Sequence, residues 1–192
     1  VESLQADVLV NALPGEFGAA LRFEWMTRGQ LVVDLSFTRE DARELHAIAL
    51  EHGGSLVLDA GIAPGLSNLM LARSQSELGR LDKGVIRVGG IPLEPDEEWS
   101  YMAPFSPADV IEEYEREVRL IEDGRIVRTP ALGRRHIVDF SGMTDGVLGS
   151  LEAFLTDGLR SLLDNIDSQI LEEYTLRWPG HIERFIELQN TG

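Results

Sequence analysis

The sequence contains no cysteine, which excludes disulfide bonds and thiolate metal sites. It has no apolar run of about 18 residues and no charged segment followed by an apolar leader, so we expect neither a membrane-spanning helix nor a signal peptide. Lysine is nearly absent, because Lys83 is the single lysine and the other basic residues are arginines. The lack of cysteine and of a targeting segment is typical of a cytoplasmic protein, and that is the localisation we expect.

Acidic residues outnumber basic residues by 33 to 17, which gives a formal net charge of -16. A surface of this sign repels nucleic acids and anionic membranes, so we expect neither as a partner. The length of 192 residues and the hydrophobic content of 43% are enough for one substantial core or two small ones. Composition therefore favours an acidic globular protein.

The first third of the sequence alternates strands with helices. Short apolar runs and helical spacing predict strands at residues 8–10, 31–35 and 55–58 and helices at 17–27 and 39–52. This alternation favours a parallel sheet with right-handed crossovers. The pattern begins in the middle of a domain, so we expect the chain to be the C-terminal part of a longer protein.

The pattern changes after residue 68. The dipeptide Asp123-Gly124 predicts a hairpin turn. The other predicted elements are strands at 84–89, 118–121, 125–127 and 136–140 and helices at 66–78, 156–170 and 181–189. We therefore expect an α/β plus α+β fold. Residues 1–68 would be the closing half of a Rossmann-type parallel sheet, and residues 69–192 a mixed or antiparallel sheet covered by helices.

Two loops that join a strand to a helix are candidate cofactor sites. Asn11 and Pro14 follow the first strand, where backbone amides face a ligand or simply form a turn. The pattern G-x-G-x-x-G does not occur in the chain, so we assign no residue to a pyrophosphate.

The second of these loops lies in the segment DAGIAPGLSN, residues 59–68. It lies at the carboxyl edge of the predicted sheet, where ligands bind in open α/β folds, and glycine there lets a ligand approach the backbone. An ordinary glycine-rich turn is the alternative. The candidate cofactor-binding residues of this loop are Asp59, Gly61, Pro64 and Gly65.

Aromatic and hydroxyl side chains cluster between residues 99 and 106. Trp99, Tyr101, Phe105 and Ser106 suit the wall of a small-molecule pocket, in which rings supply contact area and hydroxyl groups give direction. The edge of a hydrophobic core is the alternative, and for Phe105 we favour it.

The segment TLRWPGH, residues 175–181, carries the remaining candidates. Arg177 has the planar fork that binds a carboxylate bidentately, although it could equally stack on Trp178 at the surface. His181 titrates near neutrality and is a candidate proton carrier, as is Tyr101. The other histidines have no partner motif, and no metal-ligand spacing occurs, so we expect no metal.

The order and spacing of these segments resemble the saccharopine dehydrogenase family, and most closely its lysine 6-dehydrogenase branch. The resemblance rests on DAGIAPGLSN, GGIP (89–92), FSPADVIEEY (105–114), DGRIVRTPAL (123–132), LEAFLTDGLRSLL (151–163) and TLRWPGH. It implies an NAD(P)-binding Rossmann domain joined to an α+β substrate and dimerisation domain, with the last helices returning to the Rossmann side. It also implies a homodimer or higher oligomer.

The resemblance implies hydride transfer between an amino-acid carbon–nitrogen bond and NAD or NADP. Residues 96–98 are acidic, which suits an amine better than a tricarboxylate adduct, so oxidative deamination of the L-lysine side chain is the leading reaction. The alternatives are a saccharopine dehydrogenase or reductase, a carboxylated polyamine dehydrogenase, a reductase of unrelated carbonyls, and a non-catalytic dimerisation module.

Overall fold

The structure is a computed structural model that describes residues 6–38, 41–103 and 105–191. The chain divides into two compact units, of which the first ends at Met70 and the second begins at Leu71. Among the described residues, no helix is both long enough and apolar enough to cross a membrane.

The first unit is a three-stranded parallel sheet. Its strands β1 (Leu9–Asn11), β2 (Leu31–Asp34) and β3 (Ser55–Val57) lie in the order β1-β2-β3. Helix α1 (Gly15–Thr27) connects β1 to β2, and a 3-10 turn (Ala42–Leu45) followed by α2 (His46–His52) connects β2 to β3. The predicted alternation and the parallel pairing are confirmed.

The helix predicted at 39–52 is shorter in the structure, because a 3-10 turn precedes α2. The side chain of Asp41 caps this turn by accepting a hydrogen bond from the Arg43 amide. Arg39 and Glu40, the first two residues of that predicted helix, lie outside the described residues.

Both helices of the first unit cover the same face of its sheet. Trp25 and Met26 of α1 pack with Val32 of β2, and the α2 residues Ile48 and Ala49 pack against the same cluster. Burial of these apolar side chains is the main favourable free energy that holds the helices on the sheet.

The second unit contains a six-stranded mixed sheet. Its strands are β4 (Leu81–Val88), β5 (Val118–Glu122), β6 (Arg125–Thr129), β7 (His136–Asp139), β8 (Ser150–Leu155) and β9 (Ser168–Arg177). The order is β6-β5-β9-β8-β7, and β4 pairs with β9 in parallel whereas the other pairs are antiparallel. The mixed sheet is confirmed, and β9 lies at its centre.

Four helices complete the described structure: α3 (Leu66–Leu78), α4 (Pro107–Glu115), α5 (Leu162–Asn165) and α6 (His181–Thr191). The predicted hairpin is confirmed, because Asp123 and Gly124 have φ angles of 49° and 71° between β5 and β6. Positive φ at both central residues is what a type I′ hairpin turn requires.

The helix predicted at 156–170 is wrong. The segment contains only the single helical turn α5, and β9 begins at Ser168. Leu159, Leu162, Leu163 and Ile166 are buried. Their helix-like spacing comes from a loop and one helical turn that together bury the same side chains. The sequence prediction also missed strands β8 and β9.

Helices α4 and α6 share one hydrophobic cluster with strand β8. Val110 and Tyr114 of α4, Phe154 of β8 and Ile182 of α6 are all buried in it, together with Tyr101. Val110 and Tyr114 are four residues apart and therefore lie on the same side of α4.

Candidate functional site

The candidate site is built around Arg177, the last residue of β9. Arg177 is only 1% exposed. Its Nε donates to the Tyr114 Oη at 2.8 Å, one terminal nitrogen donates to the Leu176 carbonyl at 2.9 Å, and the other donates to Glu113 Oε2 at 3.3 Å. A buried guanidinium is thereby paired with a carboxylate and fixed in orientation.

Tyr101 lies against the face of this guanidinium. The Arg177 Cζ is 4.4 Å from the centroid of the Tyr101 ring, within the range of a cation–π contact. The Tyr101 hydroxyl is buried and has no hydrogen-bond partner among the described residues. Burial and the nearby Glu113 raise the pKa of Tyr101 although Arg177 opposes them, so the hydroxyl stays protonated and is available as a donor.

His181, the first residue of α6, is held by a hydrogen bond at each ring nitrogen. Nδ1 lies 3.1 Å from the Trp99 carbonyl oxygen, and Nε2 lies 3.1 Å from the Tyr114 hydroxyl. Burial lowers the pKa of His181 and the Arg177 charge lowers it further, although the hydrogen bond to Trp99 opposes both. The ring is therefore neutral near pH 7.

A second group of polar side chains continues the site along β9. Glu113 Oε1 accepts a hydrogen bond from the Thr175 hydroxyl at 2.6 Å, and the Thr175 and Thr156 hydroxyl oxygens are 2.7 Å apart. Glu113 thus uses one oxygen on Thr175 and the other on Arg177, which fixes its carboxylate between two strand residues.

Glu173 lies next to this group and is almost fully buried. Burial, with Glu113 and Asp157 nearby, raises the pKa of Glu173 well above its usual value, which favours the neutral form of the carboxyl. The main chain at Gly158 approaches the carboxyl so closely that a Cβ there would lie 1.7 Å from Glu173 Oε2.

The arrangement suits recognition of a zwitterion. A guanidinium has five N–H donors, and the contacts described above use three of them. The remaining donors of Arg177 and the Tyr101 hydroxyl could bind a carboxylate, and the Glu113 carboxylate could accept from an ammonium group. The site also contains a neutral imidazole, which is a base of suitable strength near pH 7.

Of the residues predicted for the second unit, the structure brings Tyr101, Arg177, His181 and the main chain of Trp99 together. Arg177 does not stack on Trp178 as the alternative suggested; its guanidinium lies over Tyr101, and the Trp178 indole N–H donates to the Pro92 carbonyl at 3.0 Å.

Phe105 and Ser106 have other surroundings. The Ser106 side chain caps α4 by accepting a hydrogen bond from the Asp109 amide at 3.4 Å. The Phe105 side chain is 49% exposed. Their assignment to a substrate pocket stays a prediction.

Among the predicted cofactor residues, Asn11 is fully buried. Its side-chain amide donates to Asp34 Oδ1 at 2.9 Å and to the Gly18 carbonyl at 3.2 Å, and Arg22 donates to Asp34 Oδ2 at 2.7 Å. The Asn11 side chain therefore organises the end of the sheet. Pro14 is exposed just before α1.

The glycine-rich loop lies at the carboxyl end of β3, as predicted. Gly65 has a φ of 142°, and a Cβ there would lie 2.0 Å from the Gly61 carbonyl oxygen. The Gly65 amide donates to Asn68 Oδ1, and the Leu66 amide donates to the Gly61 carbonyl. Gly65 is thus required by the close folding of the loop on itself before α3. Asp59 is half-buried at its start.

Sequence reasoning gave no role to Glu113 or Tyr114, although both lie in the segment FSPADVIEEY. The available signal was the pair Val110 and Tyr114, whose spacing marks the buried face of a short helix. A tyrosine on such a face needs a partner for its hydroxyl group, and here Arg177 and His181 supply it.

Among the described residues, no group of three or more histidine, aspartate or glutamate side chains is arranged to hold a metal ion.

Comparison with known proteins assigns the fold. A family model described as saccharopine dehydrogenase C-terminal domain matches residues 61–191. The structure is similar to that of apo histidine-tagged saccharopine dehydrogenase (L-Glu forming) from Saccharomyces cerevisiae, with a TM-score of 0.66 at 17% sequence identity. The match covers 91% of this chain and 41% of that chain, so the present chain spans less than half of its length.

Proposed function

Since the chain belongs to the saccharopine dehydrogenase C-terminal domain family, we propose that it is part of an NAD(P)-dependent oxidoreductase that acts on the carbon–nitrogen bond of an amino acid. The family comprises NAD(P)-dependent dehydrogenases. The leading reaction is oxidative deamination of the L-lysine side-chain amine, as in the lysine 6-dehydrogenase branch.

One observation carries the proposal: the Tyr101 hydroxyl is buried without a described partner, and the Tyr101 ring lies against the Arg177 guanidinium, whose described contacts use three of its five donors. A buried polar group without a partner costs free energy, so such groups are usually satisfied by a ligand or by water. Tyr101 and Arg177 together would bind the α-carboxylate of an amino acid. Glu113 would accept from its α-ammonium group.

The proton of the reacting amine needs an acceptor. His181 is neutral and is the proposed base. Its Nε2 faces the Tyr114 hydroxyl, which would have to turn its hydrogen away before Nε2 could accept the proton of the amine. Tyr101 stays protonated and is the proposed hydrogen-bond donor. The acidic residues 96–98 lie in an exposed loop just before Trp99 and favour a cationic substrate over a tricarboxylate adduct.

The cofactor would bind at the first unit. The carboxyl edge of its parallel sheet is where dinucleotides bind in open α/β folds, and Pro14 and the loop from Asp59 to Gly65 lie there. Asn11 would act indirectly, because its side chain is already bound within the protein. A bound NAD(P) there would supply the hydride acceptor that the reaction needs. The three-stranded sheet would then be the closing half of a Rossmann-type domain.

Assembly into a homodimer or higher oligomer is part of the proposal. The strand-rich segment 85–140 supplies β5 and β6, and β6 is an edge strand of the sheet. An edge strand offers unpaired backbone groups to a second copy. Light scattering of the full-length protein would give a mass of at least two subunits; a monomer at high concentration would contradict this.

The activity is tested with the full-length protein that contains this chain. Absorbance of reduced nicotinamide is followed with L-lysine, saccharopine and a plain diamine, each with NAD and with NADP. We expect turnover with L-lysine and little with the diamine, which lacks the carboxylate that Arg177 and Tyr101 would bind.

Each other outcome selects a different alternative. Preference for saccharopine would move the protein to the branch of its structural relative. Preference for the diamine would show that Arg177 does not bind a substrate carboxylate. No turnover with any substrate would favour the non-catalytic module.

A further inference from the structure

The hydrogen bonds around Tyr114 have a fixed direction. An arginine N–H can only donate, so the Tyr114 Oη is the acceptor of the bond from Arg177 Nε. The hydroxyl hydrogen of Tyr114 then remains for a second partner. The described second partner is His181 Nε2, 3.1 Å away.

The other side of His181 agrees with this direction. A carbonyl oxygen can only accept, so the Trp99 carbonyl requires a hydrogen on His181 Nδ1. A neutral imidazole with hydrogen on Nδ1 has its lone pair on Nε2, which is the atom that the Tyr114 hydroxyl faces. All three hydrogen bonds are therefore satisfied together by one arrangement.

We infer that Tyr114 is a positioning residue that orients the Arg177 guanidinium and, through the same hydroxyl group, holds His181 neutral with its hydrogen on Nδ1. A role of Tyr114 in catalysis rests on the proposed function. The orientation of Arg177 and the tautomer of His181 do not depend on it. It adds to the proposed reaction a residue on α4 that sets both the carboxylate-binding group and the base.

The coupling has a chemical consequence. Protonation of His181 at Nε2 turns that atom into a donor, so Tyr114 would have to accept from both Arg177 and His181 and its own hydrogen would lose its partner. The hydrogen bond thus stabilises the neutral ring. In the Tyr114→Phe variant this stabilisation is absent, and protonation becomes easier.

Other charged and polar groups around His181 shift its pKa in opposite directions. Arg177 on β9 and Arg184 on α6 oppose protonation, whereas Glu152 on β8 and the Trp99 carbonyl favour it. The Tyr101 ring contacts the imidazole at 4.7 Å between centroids. Replacing Tyr114 by Phe removes none of these charged groups, but it frees Arg177 Nε. A change in the His181 midpoint therefore reports on the Tyr114 hydroxyl and on the Arg177 orientation that it sets.

Nuclear magnetic resonance of the 192-residue chain with ¹⁵N-labelled histidine tests the inference. In the wild type we expect His181 with hydrogen on Nδ1 and an unprotonated Nε2 at neutral pH, and a slowly exchanging Tyr114 hydroxyl proton close to the His181 ring. In Tyr114→Phe we expect a titration midpoint for His181 that is higher by about half a pH unit or more.

The matched control is Tyr174→Phe, the same substitution in the same unit. The Tyr174 hydroxyl donates to Glu172 Oε1, and its ring contacts His136. We expect the His181 tautomer and midpoint to be unchanged in this variant. A His181 ring with hydrogen on Nε2 in the wild type would overturn the inference. An unchanged midpoint in a folded Tyr114→Phe chain would also overturn it. If that variant does not fold, the tautomer in the wild-type spectrum is the deciding result.

Kinetics of the full-length protein give an independent readout. If the proposed dehydrogenase activity is found, Tyr114→Phe should shift the acid limb of the kcat/KM profile to higher pH, in parallel with the His181 midpoint. If no activity is found, the proposed function fails while the spectroscopic result still decides the role of Tyr114.

Discussion

At the scale of single residues, Arg177 makes the strongest demand on side-chain shape. Its three nitrogen atoms each donate one of the described hydrogen bonds from a single planar group. A lysine ammonium group on a flexible chain cannot reproduce this geometry. The residue was identified from sequence because TLRWPGH is a recognisable segment. The spacing of Tyr114 with Val110 marks Tyr114 as buried, but the contacts of Tyr114 and Glu113 with Arg177 could be found only once α4 was placed against β9.

Arg177→Lys in the full-length protein should therefore abolish most of the activity toward an amino acid. Loss of a buried charge-assisted contact costs about 2 to 5 kcal/mol, which corresponds to a fall in kcat/KM of about thirtyfold or more. The fall should be much smaller for a diamine that lacks the carboxylate. Equal losses for both substrates, measured side by side, would mean that Arg177 has only a structural role.

Glu173 should make stability depend on pH. The pKa of this carboxyl is raised in the folded chain above its ordinary value of 4.5, so the folded state holds the proton more tightly than the unfolded state does. This contribution is complete below pH 4.5 and is lost as pH rises toward the folded-state pKa, with a slope that approaches about 1.4 kcal/mol per pH unit.

Glu173→Gln removes the ionisable group and should flatten this dependence. The free energy of unfolding of the variant, relative to wild type, should rise in urea titrations as pH increases above 4.5, until pH reaches the folded-state pKa of Glu173. Glu117→Gln is the control, because Glu117 is exposed and pairs with exposed Arg128. Parallel curves for wild type and Glu173→Gln would show that Glu173 is ionised in the folded protein.

At the scale of elements, Asp157 links the loop after β8 to strand β5 by hydrogen bonds. Its Oδ1 accepts from the Arg119 amide and Nε at 3.0 Å, and its Oδ2 accepts from the terminal nitrogen of Arg119 at 2.8 Å. Asp157 is only 4% exposed, so these charge-assisted bonds are partly buried.

Asp157→Asn should lower the free energy of unfolding by about 2 kcal/mol, since an amide cannot accept the bidentate pair with full charge. Asp82→Asn, the same change at an exposed position of β4, should alter it by less than about 0.5 kcal/mol. Denaturant unfolding of both variants measures the difference. Equal effects would show that the hydrogen bonds of Asp157 do not contribute to stability in this way.

Sequence patterns predicted some elements closely. Helix α3 was predicted with its exact bounds, and the Asp123-Gly124 turn located β5 and β6. Strand β9 was missed because it is central and buried on both faces, yet carries Glu172, Glu173, Thr175 and Arg177. These polar residues interrupt the apolar pattern that is typical of a buried strand, and Thr175 and Arg177 among them belong to the candidate site.

At the scale of the whole molecule, the net charge of -16 sets the response to salt. The described surface includes exposed pairs such as Arg73 with Glu77 and Arg128 with Glu117, and screening weakens each of them. Such exposed pairs contribute at most about 1 kcal/mol each, and often nothing measurable. Repulsion among the excess carboxylates acts over the whole surface and is also screened, within about 10 Å at 0.1 M salt.

Because exposed pairs contribute little while the repulsion acts among all the excess carboxylates, we expect added salt to stabilise the chain. Raising sodium chloride from 10 to 200 mM should raise the midpoint of thermal unfolding by about 2 to 4 °C, which corresponds to about 1 kcal/mol for a chain of this size. Choline chloride at equal ionic strength should give the same shift, because screening depends on ionic strength and not on the cation. A midpoint that falls with salt would show that the ion pairs outweigh the repulsion, and a shift specific to sodium would indicate cation binding.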